Sequence, residues 1–253
     1  MILDKIVDRK REEVEELLRR GIEAPEGVVE PPRGFIAALT AVEEVAIIAE
    51  AKKASPSKGV ICPDFDPVRI AVEYERAGAQ AMSVLTDVDF FQGSLSYIPL
   101  VRQAVKLPVL RKDFIIHEKQ IEQARAFGAD AILLIAAILD LDQMRDYLAA
   151  AHGLGMDVLV EIHDEAEAEM AVAAGSRLIG VNNRNLRDFS MDIETTFRLQ
   201  KLIPSEIPLV SESGIRDNND MRRLAENGIC AALIGETLMR AGDRVAGMQA
   251  LRS

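Results

Sequence analysis

The sequence predicts an α/β fold: a closed (βα)8 barrel of eight parallel strands with an extra N-terminal helix. Three observations lead to this prediction. Eight short apolar runs recur along the chain, longer stretches with helical spacing separate them, and a length of 253 residues suits one such barrel. Near-continuous apolar runs are typical of strands buried on both faces of a parallel sheet. The runs are Val45 to Glu50, Ala81 to Leu85, Pro108 to Leu110, Ala131 to Ala136, Asp157 to Glu161, Leu178 to Val181, Pro208 to Ser211 and Ala231 to Ile234.

The segments between the runs have the spacing and the end signals of helices. Pro67 to Gly78 and Gln120 to Gly128 are examples. Glycines that end a helix and turn the chain into the next strand are expected at Gly78, Gly128, Gly175 and Gly228. Barrels of this kind, known as TIM barrels, carry their active sites at the C-terminal ends of the strands. Functional side chains are therefore expected at those ends.

The first 44 residues precede the repeat. Apolar residues recur among charges from Ile2 to Arg20, which predicts an amphipathic helix that ends before Gly21. The next segment, Ala24 to Gly34, contains three prolines whose fixed φ angles disfavour helix, so we expect an extended connector. We therefore expect one domain over residues 1–253, made of an extension (1–44) and the barrel (45–253).

Composition excludes several classes of protein. The chain has 30 basic and 41 acidic residues, a net charge of −11, and 4% aromatic residues. A nucleic-acid interface needs clustered basic side chains and aromatic rings that stack on bases, so no nucleic-acid partner is expected. The charged N-terminal segment is unlike a signal peptide, and no apolar run approaches the roughly 18 residues of a membrane span. We expect a cytoplasmic protein with no membrane partner.

Neither a metal nor an organic cofactor is expected. The cysteines and histidines do not have the spacing of metal ligands, and neither the GxxxxGK[ST] nor the GxGxxG nucleotide-binding pattern occurs. The cysteines and histidines are Cys62, Cys230, His117, His152 and His163.

Polar residues end or follow five of the eight runs, where they should converge on one mouth of the barrel. A single charged residue at a strand end is commonly part of a structural ion pair. Five such strand ends on one barrel face favour a functional site, because burying each charge costs free energy unless it is paired or used. The residues are Glu50, Lys52, Lys112, Asp113, Glu161, Asn182, Arg184, Glu212 and Ser213.

Lysines at this mouth are candidates for proton transfer and anion binding. Lys52 alternates with Glu50, so both side chains should lie on the same strand face. The pKa of a lysine falls when it is desolvated or lies beside another cation, which would make Lys52 or Lys112 a proton donor usable near neutral pH. Lys53 and Lys58 are interpreted as solvated loop residues.

A phosphate site is predicted after the seventh and eighth runs. Ser213-Gly214 and Gly235-Glu236 lie where backbone N–H groups can approach an anion, although either glycine alone would be typical of a plain turn.

Two aromatic residues follow the second and third runs. Phe91 and Phe114 could form a wall for a flat substrate ring, with core packing as the alternative. His163, although close to Glu161, is interpreted as incidental, because a lone loop histidine commonly has no catalytic role.

Taken together, these residues resemble the indole-3-glycerol phosphate synthase family of tryptophan biosynthesis. The resemblance covers essentially the whole chain, including the extra N-terminal helix and Arg33-Gly34-Phe35. The matching stretches are Ile47 to Gly59, Leu85 to Asp87, Phe91 to Ser94, Leu110 to Phe114, Leu159 to Glu161, Ile179 to Leu186, Val210 to Ile215 and Leu233 to Glu236.

The resemblance implies closure of the indole ring in 1-(2-carboxyphenylamino)-1-deoxyribulose 5-phosphate, with loss of carbon dioxide and water and without a cofactor. It makes Lys112 the general acid toward the substrate ketone and Glu161 the acid/base group of the dehydration. Glu50 and Asn182 would orient Lys112 and the substrate hydroxyls. Lys52 would hold anionic groups and assist proton transfer.

The same resemblance implies the binding residues. Arg184 would face the leaving carboxylate, and Ser55 would contact the substrate. The benzene ring would lie against Pro56, Phe91, Phe114 and Leu133. The phosphate would lie among Ser213, Gly214, Gly235 and Glu236, the last through its backbone N–H with its carboxylate turned away.

Two other interpretations stay open at this point. A phosphoribosylanthranilate isomerase-like enzyme would use a cysteine base at the end of the first strand, where this chain has Glu50 and Lys52, with Cys62 after the loop. A catalytically silent phosphosugar-binding barrel would be expected to lose some of Lys112, Glu161 and Glu50. We expect a monofunctional chain that is a monomer or a weak dimer.

Overall fold

A computed structural model describes residues 2–27, 29–185 and 189–253, so Leu186, the last residue of one matching stretch, lies outside the described residues. Eight parallel strands form a closed barrel in which each strand pairs with the next along the chain and the last pairs with the first. This confirms the predicted barrel. The strands are β1 (Ala46–Ala51), β2 (Ala81–Leu85), β3 (Val109–Lys112), β4 (Ala131–Ile135), β5 (Asp157–Ile162), β6 (Ile179–Asn182), β7 (Leu209–Glu212) and β8 (Ala231–Ile234).

Helices precede and alternate with these strands. The helices are α1 (Ile2–Arg20), α2 (Phe35–Thr40), α3 (Pro67–Arg76), α4 (Tyr97–Ala104), α5 (Glu118–Ala126), α6 (Leu141–Gly153), α7 (Glu165–Ala173), α8 (Glu194–Gln200), α9 (Asn218–Glu226), α10 (Glu236–Arg240) and α11 (Arg244–Arg252). A 3₁₀ turn spans Ala136–Ile138, and a short hairpin of Ala54–Ser55 and Gly59–Val60 follows β1. No helix in the described ranges is long and apolar enough to span a membrane.

Several strands extend further into polar sequence than the apolar runs indicated. The third run was expected to end at Leu110, whereas β3 continues through Arg111 to Lys112. Both side chains pair with carboxylates: Arg111 Nη2 lies 3.1 Å from Asp113 Oδ2, and Lys112 Nζ lies 3.1 Å from Glu161 Oε2. These pairs offset the cost of burying the charges, so the polar residues belong to the strands themselves.

The interior of the barrel is a closed apolar core, and α2 seals its N-terminal end. Phe35 and Leu39 on α2 are fully buried and pack with inward-facing strand residues such as Ile48 and Leu110. The sequence pattern does not predict this helix, because its six residues are too few to show a helical period.

A buried ion pair strengthens the same end of the barrel. The fully buried carboxylate of Asp130 contacts the guanidinium of Arg102 and accepts hydrogen bonds from Arg33 N and Val109 N, each at 2.7 Å. The connector, α4 and β3 are therefore joined far from the mouth that holds the candidate site.

Candidate functional site

A cavity of about 410 Å³ lies at the C-terminal ends of the strands. Residues of α1 (Ile2, Leu3 and Ile6) form part of its wall. Every residue predicted from the sequence for the site lines this cavity: Glu50, Lys52, Ser55, Pro56, Phe91, Lys112, Phe114, Leu133, Glu161, Asn182, Arg184, Ser213, Gly214, Gly235 and Glu236.

Lys112 lies at the centre of the polar half of the cavity. Its Nζ is 3.1 Å from Glu161 Oε2 and 3.5 Å from Glu212 Oε2. Asn182 Nδ2 donates to the other oxygen of Glu161, Oε1, at 3.1 Å. Strands β3, β5, β6 and β7 thus bring one ammonium group, two carboxyl groups and one amide together.

The protonation of this cluster differs from the sequence expectation. Burial opposes the charge on Lys112, but Glu161, Glu212 and Glu50 outweigh it and raise the pKa of Lys112 above its usual range. The expectation of a lowered lysine pKa is therefore wrong for Lys112, because carboxylates rather than a second cation are its nearest neighbours. Burial also opposes ionisation of Glu161, but Lys112, His163 and Asn182 outweigh it and hold the pKa of Glu161 below its usual range.

The sequence indicates Glu212 only as a polar residue at a strand end, with no specific role, whereas in the structure its carboxyl group contacts Lys112, the candidate acid. Its side chain is 1% exposed, and Oε1 has no hydrogen-bond partner among the described residues. Burial raises the pKa of Glu212 to about 8, with Glu161 and Glu50 adding to the shift and Lys112 opposing it. Burial and the two neighbouring carboxylates thus favour the neutral form of Glu212, and Lys112 favours the charged form.

Gly180 on β6 makes room for that carboxyl group. A Cβ at this position would overlap Glu212 Oε1 and lie 3.2 Å from Glu212 Cδ and 3.1 Å from Leu159 Cδ1. The φ of Gly180 is not in the left-handed region, so close approach rather than backbone conformation requires glycine here.

Glu50 and Lys52 form a second pair at the end of β1, as their alternation predicted. Lys52 Nζ lies 2.5 Å from Glu50 Oε1. Burial opposes ionisation of Glu50, but Lys52 and Lys112 outweigh it and lower its pKa. Glu50 contacts Lys52 and Asn182 contacts Glu161, so the direct contacts of Lys112 come from Glu161 and Glu212 rather than from the two residues expected to orient it.

His163 contacts the cluster, which the sequence interpretation did not anticipate. Its Nε2 lies 3.3 Å from Glu161 Oε1, and its Nδ1 lies 3.0 Å from Glu167 Oε2. Burial opposes the charge on the ring, but Glu161 and Glu167 outweigh it and raise the pKa of His163 to about 10. His163 lies two residues before α7 and four residues before Glu167, and this short spacing between a histidine and a carboxylate is the available signal.

The other half of the cavity is apolar and aromatic. The rings of Phe91 and Phe114 are 6.0 Å apart between centroids and tilted by 35°. Leu133 and Pro56 also line the cavity. A flat apolar ring is the ligand that this wall suits.

Two residues with left-handed backbone conformation lie at the predicted phosphate-binding end of the cavity. Ser213 and Gly214 have φ angles of 64° and 82°, two successive left-handed residues directly after β7. A Cβ at Gly235 would overlap Glu50 Oε1 and lie 3.1 Å from Lys52 Nζ, so this backbone also approaches the cluster closely. The carboxylate of Glu236 accepts a hydrogen bond from Arg240 Nε at 2.9 Å, one helical turn further along α10.

Across residues 2–27, 29–185 and 189–253, no three or more His, Cys, Asp or Glu side chains could hold a metal ion. The polar half offers proton donors and acceptors, and the opposite half offers an aromatic wall.

Comparisons with known proteins point to one enzyme family. The chain matches the family model of indole-3-glycerol phosphate synthase over residues 3–251. A relative of that name from Desulfotalea psychrophila is 65% identical over 246 residues, covering 96% of this chain and 95% of the relative. Another of the same name, from Ruminiclostridium cellulolyticum, is 48% identical over 258 residues, covering 100% of this chain and 99% of the relative.

Solved structures show the fold. An N-acetylmannosamine-6-phosphate 2-epimerase from Clostridium perfringens covers 80% of this chain and 91% of its own, with a TM-score of 0.63 and 17% identity. At that identity the likeness extends to the barrel alone.

Proposed function

This chain belongs to the indole-3-glycerol phosphate synthase family, and from that premise we propose how its residues perform the reaction. The enzyme is a carboxy-lyase of tryptophan biosynthesis that closes the indole ring of 1-(2-carboxyphenylamino)-1-deoxyribulose 5-phosphate. The observation that carries the proposal is the contact of Lys112 Nζ with both Glu161 and Glu212 among the residues that line the cavity.

Lys112 acts as the general acid of ring closure. The carboxylated ring carbon attacks the ketone carbon, a carbon–carbon bond forms, and the ketone oxygen takes a proton from Lys112 Nζ. The raised pKa of Lys112 keeps Nζ protonated across the neutral range but makes it a weaker acid, so the position of Nζ rather than its acidity supports this role. Positioned acids of this kind contribute roughly 10²- to 10⁴-fold. Holding ring carbon and ketone together contributes several kcal/mol more.

Loss of carbon dioxide then restores the ring, and dehydration completes the indole. Glu161 acts as the acid/base group of that last step, taking up one proton and returning one to the departing hydroxyl. Its lowered pKa supports its starting as the base, and Asn182 Nδ2 at 3.1 Å holds the carboxylate in place. Glu212 positions the ammonium group of Lys112 from the opposite side.

The two ends of the substrate occupy opposite parts of the cavity. Backbone N–H groups around Gly214 and Gly235 bind the phosphate, with Lys52 supplying positive charge. Arg184 faces the carboxylate that leaves. The benzene ring lies against Phe91 and Phe114, and their tilted pair of rings supports this placement.

The two alternatives are disfavoured by specific observations. Cys62, the cysteine in the segment that directly follows β1, is buried beside Arg244 and is not among the residues that line the cavity. The carboxyl group of Glu212 fits beside β6 only because residue 180 is a glycine. A catalytically silent barrel would have no need of this arrangement.

Further properties are proposed for the whole protein. It functions as one domain without cofactor or nucleic acid, in the cytoplasm, as a monomer or weak dimer. A net charge of −11 supports the absence of a nucleic-acid partner.

The direct test is turnover by the wild-type protein. The substrate is mixed with purified protein in buffer containing a metal chelator, and indole absorbance and fluorescence are followed. We expect indole-3-glycerol phosphate to accumulate at the same rate with and without the chelator. A protein that binds the substrate by calorimetry without producing indole would be a silent barrel. Conversion of phosphoribosylanthranilate instead would identify an isomerase.

A further inference from the structure

The N-terminal helix contains a buried lysine that the reaction does not use. Lys10 is 1% exposed. Its Nζ lies 2.9 Å from Asp87 Oδ2, 2.9 Å from Asp113 Oδ1 and 2.8 Å from Glu13 Oε2. Burial opposes the charge, but Asp113, Asp87 and Glu13 outweigh it and raise the pKa of Lys10. One ammonium group thus joins α1 to the loops after β2 and β3.

Each of the two barrel carboxylates also holds the backbone of an aromatic residue. Asp87 Oδ1 accepts hydrogen bonds from Phe90 N at 2.8 Å and from Phe91 N at 3.1 Å. Asp113 Oδ1 accepts one from Phe114 N at 2.9 Å. Lys10 therefore contacts both carboxylates that accept hydrogen bonds from the backbone of the aromatic wall, which is formed by Phe91 and Phe114.

We propose that Lys10 is a positioning residue for the aromatic part of the substrate, acting through Asp87 and Asp113 on Phe91 and Phe114. The contact between the two rings requires two loops from different strands to keep a fixed separation, and Lys10 is the charge that both loops share. The inference rests on the proposed function, since it takes the aromatic wall to be the binding surface for the benzene ring.

Matched substitutions on α1 can separate this role from simple docking of the helix. Lys10→Met removes the charge and keeps a long apolar side chain. Arg9→Met is the control, because Arg9 joins the helix to the same loop through Asp89 at 2.5 Å, an exposed pair that holds no aromatic residue. Ligands are titrated by calorimetry: the substrate with its ketone reduced to an alcohol carries the ring, and ribulose 5-phosphate lacks it.

We expect Lys10→Met to weaken binding of the ring-bearing ligand by about 10-fold and binding of ribulose 5-phosphate by less than about 2-fold. Arg9→Met should leave both affinities within about 2-fold of wild type. The double variant Lys10→Met/Phe91→Leu should lose less affinity for the ring-bearing ligand than the product of the two single fold-changes, because both substitutions act on the same contact. Equal weakening of both ligands, or full additivity, would overturn the inference.

A second variant covers the case in which Lys10→Met does not fold. Asp87→Asn preserves the size of the side chain and the oxygen that accepts from Phe91 N, but removes its charge toward Lys10. It should weaken the ring-bearing ligand selectively, by about 3-fold; unchanged selectivity would contradict the inference. The binding readout is independent of turnover, so wild-type protein that binds the ring-bearing ligand but makes no indole would reject the proposed reaction while leaving Lys10 testable.

Discussion

Gly180 is the position at which one added methyl group should impair catalysis while leaving the fold in place. In Gly180→Ala, the new Cβ would overlap Glu212 Oε1 and lie 3.2 Å from Glu212 Cδ and 3.1 Å from Leu159 Cδ1. Carbon atoms rest about 3.5–4.0 Å apart, so the carboxyl group of Glu212 must move by about 1 Å. Its partner there is Lys112 Nζ, at 3.5 Å.

The expected effect of Gly180→Ala on stability and kcat depends on which group moves to accommodate the new Cβ. The end of the Glu212 side chain can rotate more cheaply than the barrel can widen, so the fold should lose only about 1–3 kcal/mol. A displacement of about 1 Å in a catalytic centre can cost on the order of 10²-fold in rate. We therefore expect kcat to fall by about 10²-fold with a cooperative unfolding transition retained.

The assay is steady-state formation of indole-3-glycerol phosphate, with urea unfolding measured on the same preparations. Gly153→Ala is the matched control, because Gly153 lies in α6 and an added Cβ there meets nothing within 4 Å. It should leave kcat unchanged and raise the free energy of unfolding by less than about 1 kcal/mol, because Gly153 is the last residue of α6. A Gly180→Ala enzyme with kcat within about 3-fold of wild type would refute the role of Glu212 in positioning Lys112.

Three other substitutions test separate parts of the account. Burial, Glu161 and Glu50 raise the pKa of Glu212 to about 8, although Lys112 acts to lower it. As pH rises through about 8, the carboxyl group of Glu212 therefore loses its proton, and its new negative charge repels the anionic substrate. The kcat/KM of wild type should therefore fall across that pH, whereas Glu212→Gln should show no such fall in a pH–rate profile; a parallel fall in both would contradict the assignment. His163→Gln should lower kcat by about 10-fold by loosening Glu161, 3.3 Å away, and an unchanged kcat would return His163 to the incidental role. Asp130→Ala leaves Arg102 buried without its carboxylate, so urea unfolding should show a loss of about 3–5 kcal/mol with kcat of the folded enzyme unchanged; a loss below about 1 kcal/mol would count against that network.

Local pattern was sufficient for the barrel and for much of the cavity. Apolar runs and glycines located all eight strands to within a few residues. The closed parallel topology then placed Lys112, Glu161 and Asn182 at one mouth, because parallel strands share their C-terminal end. Helix α2 could not be predicted because its six residues are too few to show a helical period, although its Phe35 closes the barrel.

Interactions between distant segments could not be derived from the pattern. The pKa of Lys112 depends on carboxylates from β5, β7 and β1, which only closure of the barrel brings together. Glu161 and Glu167 both lie within four residues of His163 in the sequence, but only the folded backbone decides that its ring contacts both carboxylates. The contact of Lys10 with Asp87 likewise depends on how α1 docks on the barrel, which spacing within the helix does not encode.

The central claim is that Lys112 supplies the proton for ring closure, and Lys112→Ala tests it most directly. Substrate binding is measured by calorimetry and indole formation by fluorescence, on protein whose fold is checked by circular dichroism. We expect the variant to fold and to bind the substrate, with kcat lowered by at least about 10²-fold. A folded Lys112→Ala enzyme with near-normal kcat would contradict the account.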